Sequence, residues 1–387
     1  MIYLFNMSVT EAPVPQPQEY SNVTEFPAAY KDSLIMQMYE EQNKKGWPFS
    51  LLVSDYDNSY FNEATTVQTA RLAEIAKRHN IPTVIVTGNN FENLLKKIDG
   101  NKHAKPEVII DSVGTGIYIL HQNPDGTEVY VKDDRFDTML KDMKFDRKEH
   151  ARKAADLIAE WKAVECPFNK NQLDFQDPTL EAAFIDEKEV EVQPYKLSFY
   201  FFAHDEETST DPTEQQERAQ FEEAFRLRMP GVEIATCEEI GYNKDRKSGR
   251  KKFCIDALPI PPKAGAVNYL SDLLQVKQML KVGDSGNDII FQQKVHQGVN
   301  VVVEGAKAEM LKTVRNATPI GDTGFLRASP GKQGRYFNAE GTSTPAAGSI
   351  IDAAIARFTL SRRFITNEKA REEIDQIIQE LEAAKRV

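Results

Sequence analysis

Short apolar runs alternate with helical stretches in two parts of this chain, and the alternation limits the folds that it can adopt. Three such runs, SLLVSD, PTVIVTG and PEVIIDSVGTGIYIL, lie in the first part, where helical patterns such as VQTARLAEIAKRHN separate them. Strands that alternate with helices form βαβ units, whose parallel sheet is covered by helices on both faces. The same alternation of strand and helix patterns returns late in the chain, around QMLKVGDSGND. The sequence therefore predicts an α/β fold with a Rossmann-like parallel sheet.

The stretch between these two parts, residues 126–254, has a different character. It contains amphipathic helical patterns, a strand PYKLSFYFF and a predicted hairpin through KDRKSGRKK. Mixed helices and strands inside an α/β pattern indicate an inserted domain. We therefore expect a core domain formed by residues 49–125 and 255–362, with an α+β domain inserted between its two halves.

Both ends of the chain lie outside this pattern. Residues 1–48 include the proline-rich polar segment SVTEAPVPQPQEYSN, and we expect an N-terminal extension that is partly disordered or docked. Residues 363–387 have the pattern of a C-terminal amphipathic helix with one apolar stripe. The stripe consists of Ile374, Ile377, Ile378 and Leu381. Docking of this helix onto the core is the simpler interpretation, and dimerisation is the alternative.

The composition argues against several classes of protein. The formal net charge is -11 and charges of both signs are mixed along most of the chain, so no basic stripe for a nucleic acid partner is present. No apolar run approaches the roughly 20 residues of a membrane-spanning helix, so no membrane partner is expected. The three cysteines, Cys166, Cys237 and Cys254, are far apart and lack CxxC spacing, which fits a reduced compartment. We therefore expect a cytoplasmic protein.

Polar residues follow the predicted parallel strands, at the edge of the sheet where α/β proteins place their functional groups. Asp55 and Asp57 close the first strand, Thr87 closes the second, and the cluster GDSGND closes a late strand. Side chains two residues apart on a strand point the same way, so the two carboxylates would lie side by side, which is unfavourable without a cation. The alternatives are a solvated turn at the first strand and a helix N-cap at GDSGND.

Lys263 lies in the first turn of a predicted helix, within LPIPPKAGAVNYLSDLL. The helix dipole disfavours a cation there by up to about 1 kcal/mol, so the location of this lysine indicates an anionic partner. The alternative is an exposed lysine that is tolerated on the surface. Together with the aspartates, Lys263 meets the needs of phosphoryl transfer. These are a carboxylate nucleophile, a second acid/base, an oxygen-lined site for a hard cation and donors for the phosphate.

The order of these motifs, Asp-x-Asp, Thr-Gly, Lys and Gly-Asp-x-x-x-Asp, resembles that of the haloacid dehalogenase (HAD) superfamily of phosphohydrolases. The segments DSVGTGIYIL, PYKLSFYFF, IDALPIPPKAGAVNYL and VGDSGNDIIF are similar to the branch with a large α/β cap between its second and third motifs. That branch includes sucrose-phosphate phosphatase and kanosamine-6-phosphate phosphatase, and the resemblance covers residues 50–360. It implies that the inserted α+β domain is the cap of a HAD core.

The resemblance implies a role for each matching residue. Asp55 would attack phosphorus and become an aspartyl-phosphate, and Asp57 would protonate the leaving alkoxide and then deprotonate the attacking water. The phosphate would be bound by Thr87, Gly88, Lys263 and Asn287. A Mg2+ ion would be bound by Asp55, the backbone carbonyl of Asp57, Asp284 and Asp288. This cation would neutralise the paired carboxylates and orient the phosphate for in-line attack.

Two departures from the family pattern bear on the substrate. The first motif usually continues Asp-Gly-Thr, whereas this chain has Asn58 and Ser59, and the following Tyr60-Phe61 resembles the kanosamine-phosphate enzymes more than the sucrose ones. Many relatives have arginine after Thr-Gly, and this chain has Asn89. The loss of that arginine weakens a specific assignment to sucrose phosphate. We therefore predict a substrate class, a small phosphorylated sugar or amino sugar.

The cap is expected to choose the sugar, because the catalytic face has few groups left to contact it. In PYKLSFYFF, strand alternation places Lys196, Ser198 and Tyr200 on one face. The opposite, apolar face, expected in the cap core, consists of Tyr195, Leu197, Phe199 and Phe201. Sucrose-phosphate phosphatases have a similar Lys-x-Ser strand, so Lys196 and Ser198 are candidate substrate-binding residues. A solvent-facing strand surface is the alternative.

These features predict a Mg2+-dependent phosphatase that hydrolyses a sugar or amino-sugar monophosphate through an aspartyl-phosphate. The alternative is a catalytically silent sugar-phosphate-binding or regulatory protein on the same fold. The intact Asp57 disfavours it, because a binding protein does not need an acid/base. A phosphomutase would carry a helical cap after the first motif, and too few residues separate Phe61 from Thr87 for one.

Overall fold

Two β-sheets organise the part of the chain that the computed structural model describes. The described residues are 26–45, 51–101, 104–163, 173–175, 193–203, 212–239, 252–276, 278–295, 297–315, 317–320, 325–327, 335–341 and 344–387. Their strands are β1 (Leu51–Ser54), β2 (Thr83–Val86), β3 (Val108–Asp111), β4 (Gly116–Gln122), β5 (Glu128–Lys132), β6 (Leu173–Phe175), β7 (Leu197–Ala203), β8 (Glu233–Glu239), β9 (Lys252–Leu258), β10 (Met279–Gly283), β11 (Val299–Val302), β12 (Thr318–Ile320), β13 (Phe325–Arg327) and β14 (Arg335–Asn338).

The larger sheet has the strand order β12-β13-β14-β11-β10-β1-β2-β3-β4-β5. Its central strands, from β14 to β3, run parallel, and antiparallel strands lie at both edges. β1 lies in the middle, where Val53 is paired with Val84 of β2 and with Lys281 of β10. Every residue of β1 and β2 is buried, as expected for parallel strands that are covered on both faces. The predicted α/β fold with a parallel sheet is confirmed.

Helices cover both faces of this sheet. The helices of the described residues are α1 (Leu34–Lys45), α2 (Thr66–Arg78), α3 (Phe91–Gly100), α4 (Asp134–Asp142), α5 (Arg147–Ala163), α6 (Pro212–Arg228), α7 (Ala264–Leu274), α8 (Gly286–Lys294), α9 (Ala308–Val314), α10 (Ala347–Arg362) and α11 (Glu368–Lys385). Side chains of α2, α10 and α11 pack on one face, and those of α1, α4 and α7 pack on the other. In the described ranges, no helix has the length and apolarity that crossing a membrane requires.

The C-terminal helix α11 docks onto the core. Ile374, Ile377 and Leu381 are buried, and Ile378 packs at the edge of the same cluster. Their neighbours are α2 and α10, which α11 contacts along its length. The apolar stripe read from the sequence is therefore a core contact in this structure.

The smaller sheet, in the order β6-β7-β9-β8, is antiparallel and packs against α5 and α6. Its apolar core includes Leu197 of β7, Phe221 and Phe225 of α6 and Ile255 of β9. β8 and β9 pair in antiparallel register on either side of the predicted hairpin. The connecting residues 240–251, which hold most of the basic run of that hairpin, lie outside the described residues.

The two sheets suggest other limits for the inserted domain than residues 126 and 254. β5 pairs with β4 in the larger sheet, and α4 adds Phe136 and Leu140 to the core of that sheet. β9 pairs within the smaller sheet as far as Leu258. The NPDG turn, where the sequence changes character, connects β4 to β5 within the larger sheet. We propose that the inserted domain runs from α5 to the end of β9.

The segment before the first strand is docked on the core domain. A 3-10 turn at Ala28–Tyr30 and the helix α1 lie near β4, and the Tyr30 side chain is 0% exposed. The Nε2 atom of His121 on β4 lies 2.7 Å from the carbonyl oxygen of Ala29. This segment is therefore part of the core domain, whereas the proline-rich part of the predicted N-terminal extension lies outside the described residues.

Tyr30 should anchor this segment. Tyr30→Ala removes a fully buried ring, and such substitutions cost about 3 to 5 kcal/mol of unfolding free energy because they leave a cavity. Phe26→Ala, in the same segment but at a ring that is 47% exposed, should change this free energy by about 0.5 kcal/mol or less. Urea unfolding of both variants measures the difference. Equal unfolding midpoints would show that the docked segment adds no stability.

Candidate active site

Three parallel strands bring polar residues to one edge of the larger sheet. Asp55 directly follows β1, Thr87 follows β2 and Asp284 follows β10. β1 lies between the other two strands, so these residues are neighbours in space although they are far apart in the chain. The backbone N–H of Asp55 donates to the carbonyl oxygen of Val282 at 3.1 Å, which extends the strand pairing into the site. The candidate site lies at the carboxyl ends of the strands, as predicted.

Three aspartates form a buried carboxylate cluster. Oxygens of Asp55, Asp284 and Asp288 lie within 4.8 Å of one another, and these residues are 8, 5 and 0% exposed. The ammonium of Lys263 donates to Asp55 Oδ1 at 2.8 Å and to Asp288 Oδ1 at 2.6 Å. Lys263 is itself 0% exposed, so the alternative of a surface lysine is wrong.

The start of helix α8 positions Asp288. Ser285 is the N-cap residue, and Asp288 Oδ2 accepts hydrogen bonds from the backbone N–H groups of Asp284 at 3.1 Å and Ser285 at 3.2 Å. This leaves Oδ1 to face Lys263. A Cβ at Gly283 would lie 2.4 Å from the Cβ of Asp288, so only glycine fits there. The GDSGND motif is therefore a helix cap and a part of the cluster at the same time.

Ser59 supports the cluster from the loop after β1. Its hydroxyl donates to Asp284 Oδ1 at 3.0 Å, and the side chain is fully buried. Asn58 before it has a φ of 60°, in the left-handed region that glycine occupies easily and asparagine tolerates. Asn58 therefore allows the backbone to turn after β1, and Ser59 supplies a hydroxyl to the cluster.

A strained loop holds the backbone of Lys263. Lys263 precedes α7 with a φ of 55°, and its N–H donates to the carbonyl oxygen of Val113 at 2.6 Å. Val113 has a φ of 62°, which is rare for a β-branched residue, and Gly114 has a φ of 105°. Such strain persists only where the surrounding structure imposes it, and it is concentrated at functional sites. The short segment PIPP connects Lys263 to β9 of the inserted domain.

The cluster carries more negative than positive charge. Burial raises the pKa of Asp55 to about 8; Lys263 opposes this rise, and Asp288 and Asp284 add to it. Burial also raises the pKa of Asp284 to about 6, with Asp288 adding to the rise. Burial lowers the pKa of Lys263, but Asp288 and Asp55 outweigh it and hold that pKa above its ordinary value. Three buried carboxylates facing one ammonium form an oxygen-lined site that suits a hard divalent cation.

Asp57 lies apart from this cluster. Its Oδ1 and Oδ2 accept from Lys97 Nζ at 2.8 and 2.6 Å, and Oδ2 also accepts from Asn89 Nδ2 at 2.9 Å. The side chain is 45% exposed. β1 ends at Ser54, so the strand alternation that would place the carboxylates of Asp55 and Asp57 side by side does not extend to them. The two aspartates occupy different environments, one buried and one at the surface of the site.

The residues predicted to bind phosphate are distributed around the loops that follow β2 and β10. Thr87 is buried, and its Oγ1 accepts from the backbone N–H and the side-chain Nδ2 of Asn89, at 3.1 and 2.9 Å. Gly88 offers its carbonyl oxygen to Lys196 Nζ at 3.4 Å. Asn287 lies in the first turn of α8, where its Oδ1 accepts from the N-cap serine at 2.9 Å. Phosphate binding by these residues stays a prediction.

Lys196 and Ser198 of the inserted domain share a contact with Asp256, and Lys196 also reaches the core domain. Lys196 Nζ lies 3.4 Å from Asp256 Oδ1 and reaches the carbonyl oxygen of Gly88. The Ser198 hydroxyl donates to Asp256 Oδ1 at 2.5 Å, and these two residues are paired between β7 and β9. Lys196 and Asp256 are buried, so this surface is not solvent-facing. The structure therefore brings Lys196 next to the loop after β2, and Ser198 is connected to Lys196 through Asp256.

The apolar face of the same segment follows the prediction in part. Leu197 is buried in the core of the inserted domain, as expected. Tyr195 is buried in the core of the larger sheet instead, because β7 begins only at Leu197 and the alternation does not extend back to it. The side chains of Phe199, Tyr200 and Phe201 lie outside the described ones.

Sequence reasoning missed two residues that the structure places at the site, Lys97 and Asp256. Lys97 lies in LLKKIDG on the amphipathic helix α3, where a lysine has the pattern of an ordinary surface residue. Asp256 does carry a signal, since it interrupts the otherwise apolar centre of the strand KFCIDAL. A carboxylate in a strand interior is rarely buried without a partner, so this position could have been identified.

The loops that hold Asp55, Asp57 and Thr87 lie in a segment whose sequence matches a known enzyme family. Residues 48–165 match the sucrose-6F-phosphate phosphohydrolase family. The match confirms the predicted resemblance and the predicted class of enzyme, the phosphoric monoester hydrolases. No curated protein sequence matches the chain significantly.

Several solved structures align with most of the chain. The sucrose-phosphatase of Synechocystis sp. PCC6803, in complex with sucrose and phosphate, is 19% identical over 79% of this chain and 97% of that chain, with a TM-score of 0.49. The HAD subclass IIB sugar phosphatase BT4131 is 15% identical over 68% and 90%, with a TM-score of 0.36. The haloacid dehalogenase-like protein yhjK of Bacillus subtilis is 16% identical over 68% and 84%, with a TM-score of 0.37.

Gly114 should be required for the position of Lys263. A Cβ at residue 114 would lie 2.9 Å from the backbone nitrogen of Lys263, at a φ of 105°. Gly126 is the matched control, because it has a φ of 84° and a Cβ added to it would meet no atom within 4 Å. Both alanine variants should incur backbone strain of about 1 to 2 kcal/mol, and only Gly114→Ala also displaces Lys263. Urea unfolding should show the larger loss for Gly114→Ala, and equal losses would contradict the proposed contact.

Proposed function

We propose that this protein is a Mg2+-dependent phosphatase that hydrolyses a sugar or amino-sugar monophosphate through an aspartyl-phosphate. The observation that carries the proposal is the buried cluster of Asp55, Asp284 and Asp288 around Lys263. Burying an ion costs several kcal/mol of free energy, so such a cluster is not explained by its contribution to the stability of the fold. A phosphoryl-transfer site needs a nucleophile, a cation site and a phosphate-binding cation in one place. The family match over residues 48–165 supports the same chemistry.

The chemistry of the donor set supports Mg2+ as the cofactor. The three aspartates offer carboxylate oxygens only, which are the ligands that hard cations prefer. Asp55, Asp284 and Asp288 would hold the ion, with Ser59 keeping Asp284 oriented through its hydrogen bond. When bound, Mg2+ would act as a Lewis acid toward the phosphate oxygens.

Asp55 is placed to act as the nucleophile. Lys263 at 2.8 Å favours the ionised form of Asp55 against the effect of burial, and it would bind a phosphate oxygen. Attack of an Asp55 oxygen on phosphorus would break the bond to the sugar oxygen, and Asp57 would give that oxygen its proton. The carboxylate of Asp57 would then take a proton from the water that cleaves the aspartyl-phosphate. Asp57 suits this role because it is half-exposed, where the leaving group and water have access.

The inserted domain would contact the sugar. Lys196 supplies an ammonium donor, Ser198 a hydroxyl and Asp256 a carboxylate acceptor, all within one hydrogen-bonded group. Lys196 also reaches Gly88, the residue after the predicted phosphate ligand Thr87. A sugar ring attached to a phosphate at Thr87 would therefore meet both donors and acceptors. These polar groups favour a hydroxylated leaving group over an apolar one.

The test is Mg2+-dependent release of phosphate from a panel of sugar and amino-sugar monophosphates. The wild type should hydrolyse at least one of them, EDTA should abolish the activity, and Asp55→Asn should eliminate turnover because the amide cannot act as the nucleophile. Asp142→Asn, at an exposed aspartate on α4, is the matched control and should retain the wild-type rate.

Binding of Mg2+ requires deprotonated carboxylates, so half-saturation should require less Mg2+ as the pH rises from 6 to 8, the range set by the pKa values of Asp284 and Asp55.

Three outcomes would contradict the proposal in different ways. Full activity in a metal-free preparation would remove Mg2+ from it. Unchanged turnover of Asp55→Asn would remove the aspartyl-phosphate. Tight binding of a sugar phosphate with no phosphate release by the wild type would favour the silent binding protein.

Lys196 should affect the choice of sugar more than the chemistry at phosphorus. Lys196→Ala removes a charged donor, whose hydrogen bonds contribute about 1.5 to 3 kcal/mol, so the KM for the best sugar phosphate should rise about 10-fold or more. The KM for p-nitrophenyl phosphate, which has no sugar hydroxyls, should change little. Lys153→Ala, at a partly exposed lysine on α5, is the control. Equal effects of Lys196→Ala on both esters in steady-state kinetics would show that Lys196 does not contact the sugar.

A further inference from the structure

The carboxylate of Asp57 is held from two sides. Lys97 Nζ contacts both of its oxygens, at 2.8 and 2.6 Å, and Asn89 Nδ2 donates to one of them at 2.9 Å. The Lys97 and Asp57 side chains are 40 and 45% exposed. Ion pairs at this exposure contribute little to stability, because water screens them. The effect of the contacts is therefore geometric: three hydrogen bonds fix the direction of one carboxylate.

Hydrogen bonds to its neighbours hold Asn89, the first of the two residues that contact Asp57, in a fixed position. Its backbone N–H and its Nδ2 both donate to Thr87 Oγ1, at 3.1 and 2.9 Å. Its carbonyl oxygen accepts from the backbone N–H of Ser112 at 2.8 Å, within the strained loop that also positions Lys263. Asn89 therefore links the acid/base carboxylate to the predicted phosphate-binding loop.

Helix α3 presents Lys97 from the other side. The helix is fixed at its start, where the N–H of Phe91 donates to Asp111 Oδ2 at 2.9 Å and the Phe91 ring stacks on Tyr118 with centroids 3.9 Å apart. Leu94 and Ile98, on either side of Lys97 along the helix, are buried. The helix cannot rotate without exposing these residues, so the backbone of Lys97 is held on the side of α3 from which its ammonium reaches Asp57.

The position of Asp57 matters because the next acidic residue in the chain, Asp55, belongs to the buried carboxylate cluster. Asp55 is only two residues away, and its oxygens are gathered with those of Asp284 and Asp288, whereas the oxygens of Asp57 are not in that group. A carboxylate on this loop without a cationic partner of its own would compete for the cation-binding site of the cluster. An ammonium outside the cluster keeps Asp57 out of it and directs it to the open side of the site.

We propose that Lys97 is a positioning residue for the proton transfer carried out by Asp57. This role rests on the proposed phosphatase function. Lys97, with Asn89, holds the Asp57 carboxyl group where the leaving oxygen of the substrate departs. The protonated form of Asp57 passes its proton to that oxygen as the bond between the oxygen and phosphorus breaks, which leaves Asp57 as a carboxylate; Lys97 neither gives nor takes a proton.

This role predicts an effect that depends on the leaving group. A sugar oxygen leaves as a strongly basic alkoxide and needs the proton, whereas p-nitrophenolate is weakly basic and leaves with little help. The measurement is kcat/KM for glucose 6-phosphate and for p-nitrophenyl phosphate, because this constant reports the steps through cleavage of the ester. Lys97→Met should lower kcat/KM for glucose 6-phosphate by about 10- to 100-fold, a part of the effect of losing the whole general acid. The value for p-nitrophenyl phosphate should change less than about 3-fold, since acid catalysis contributes little there.

Three further variants make the test specific. Lys97→Arg keeps the cation and should restore most of the glucose 6-phosphate rate. Lys96→Met, at the adjacent exposed lysine of α3, should leave both rates unchanged. In an Asp57→Asn background, Lys97→Met should have no further effect, because residues that act as a unit are not additive. Urea midpoints of all variants should equal that of the wild type.

The outcomes separate this role from the proposed function. If the wild type hydrolyses both esters and Lys97→Met slows both equally, or neither, the positioning role is wrong and the phosphatase proposal stands. Additive effects of Lys97→Met and Asp57→Asn would also overturn the role. If the wild type hydrolyses neither ester nor any sugar phosphate, the proposed function fails, and the role of Lys97 fails with it.

Discussion

The ammonium group of Lys263 lies between Asp55 and Asp288, and the arrangement of the whole site depends on that contact. Removing one member of a buried ion pair typically costs about 3 to 5 kcal/mol, because the remaining charge is left without a partner. Several local features serve to keep this group in place. The positive φ angles of Val113 and Gly114 allow the backbone of Lys263 to approach, and the N-terminus of α8 holds Asp288 by its second oxygen. The backbone strain at the loop accompanies the burial of a lysine against two carboxylates.

The part of the site that the sequence predicts is the part that depends on local rules. Parallel strands end at one edge of a sheet, so Asp55, Thr87 and Asp284 had to be neighbours once the βαβ pattern was recognised. The helix-start pattern of GDSGND and the unfavourable location of Lys263 at a helix N-terminus were also visible in the sequence. Each inference needs only the direction of a strand or helix and the chemistry of one residue. The burial of Lys263 follows from none of these, and it required the structure.

The features that the sequence did not reveal depend on contacts between distant segments. Lys97 becomes a site residue only because α3 packs with Leu94 and Ile98 inward. The amphipathic pattern of α3 does not predict which residue the Lys97 side chain contacts. Burial of Tyr30, the last residue of the 3-10 turn, likewise depends on packing against elements that come later in the chain. The NPDG turn illustrates the opposite case. A change in composition marked a hairpin turn inside the larger sheet, because turn residues have the same character at domain boundaries and within domains.

The connection between β9 and the buried Lys263 also restricts the distance between two parts of the site. Asp256 near the end of β9 and Lys263 at the start of α7 are joined by a stretch that contains Pro259, Pro261 and Pro262. Proline fixes φ near −65°, so this stretch has few ways to shorten or extend. One end lies with the groups proposed to contact the sugar, and the other carries the ammonium proposed to bind the phosphate. This stiff segment would therefore fix the distance between the group proposed to bind the phosphate and the groups proposed to contact the sugar. A substrate would be selected by the distance between its phosphorus and its distal hydroxyl groups, even without any closing motion of the protein.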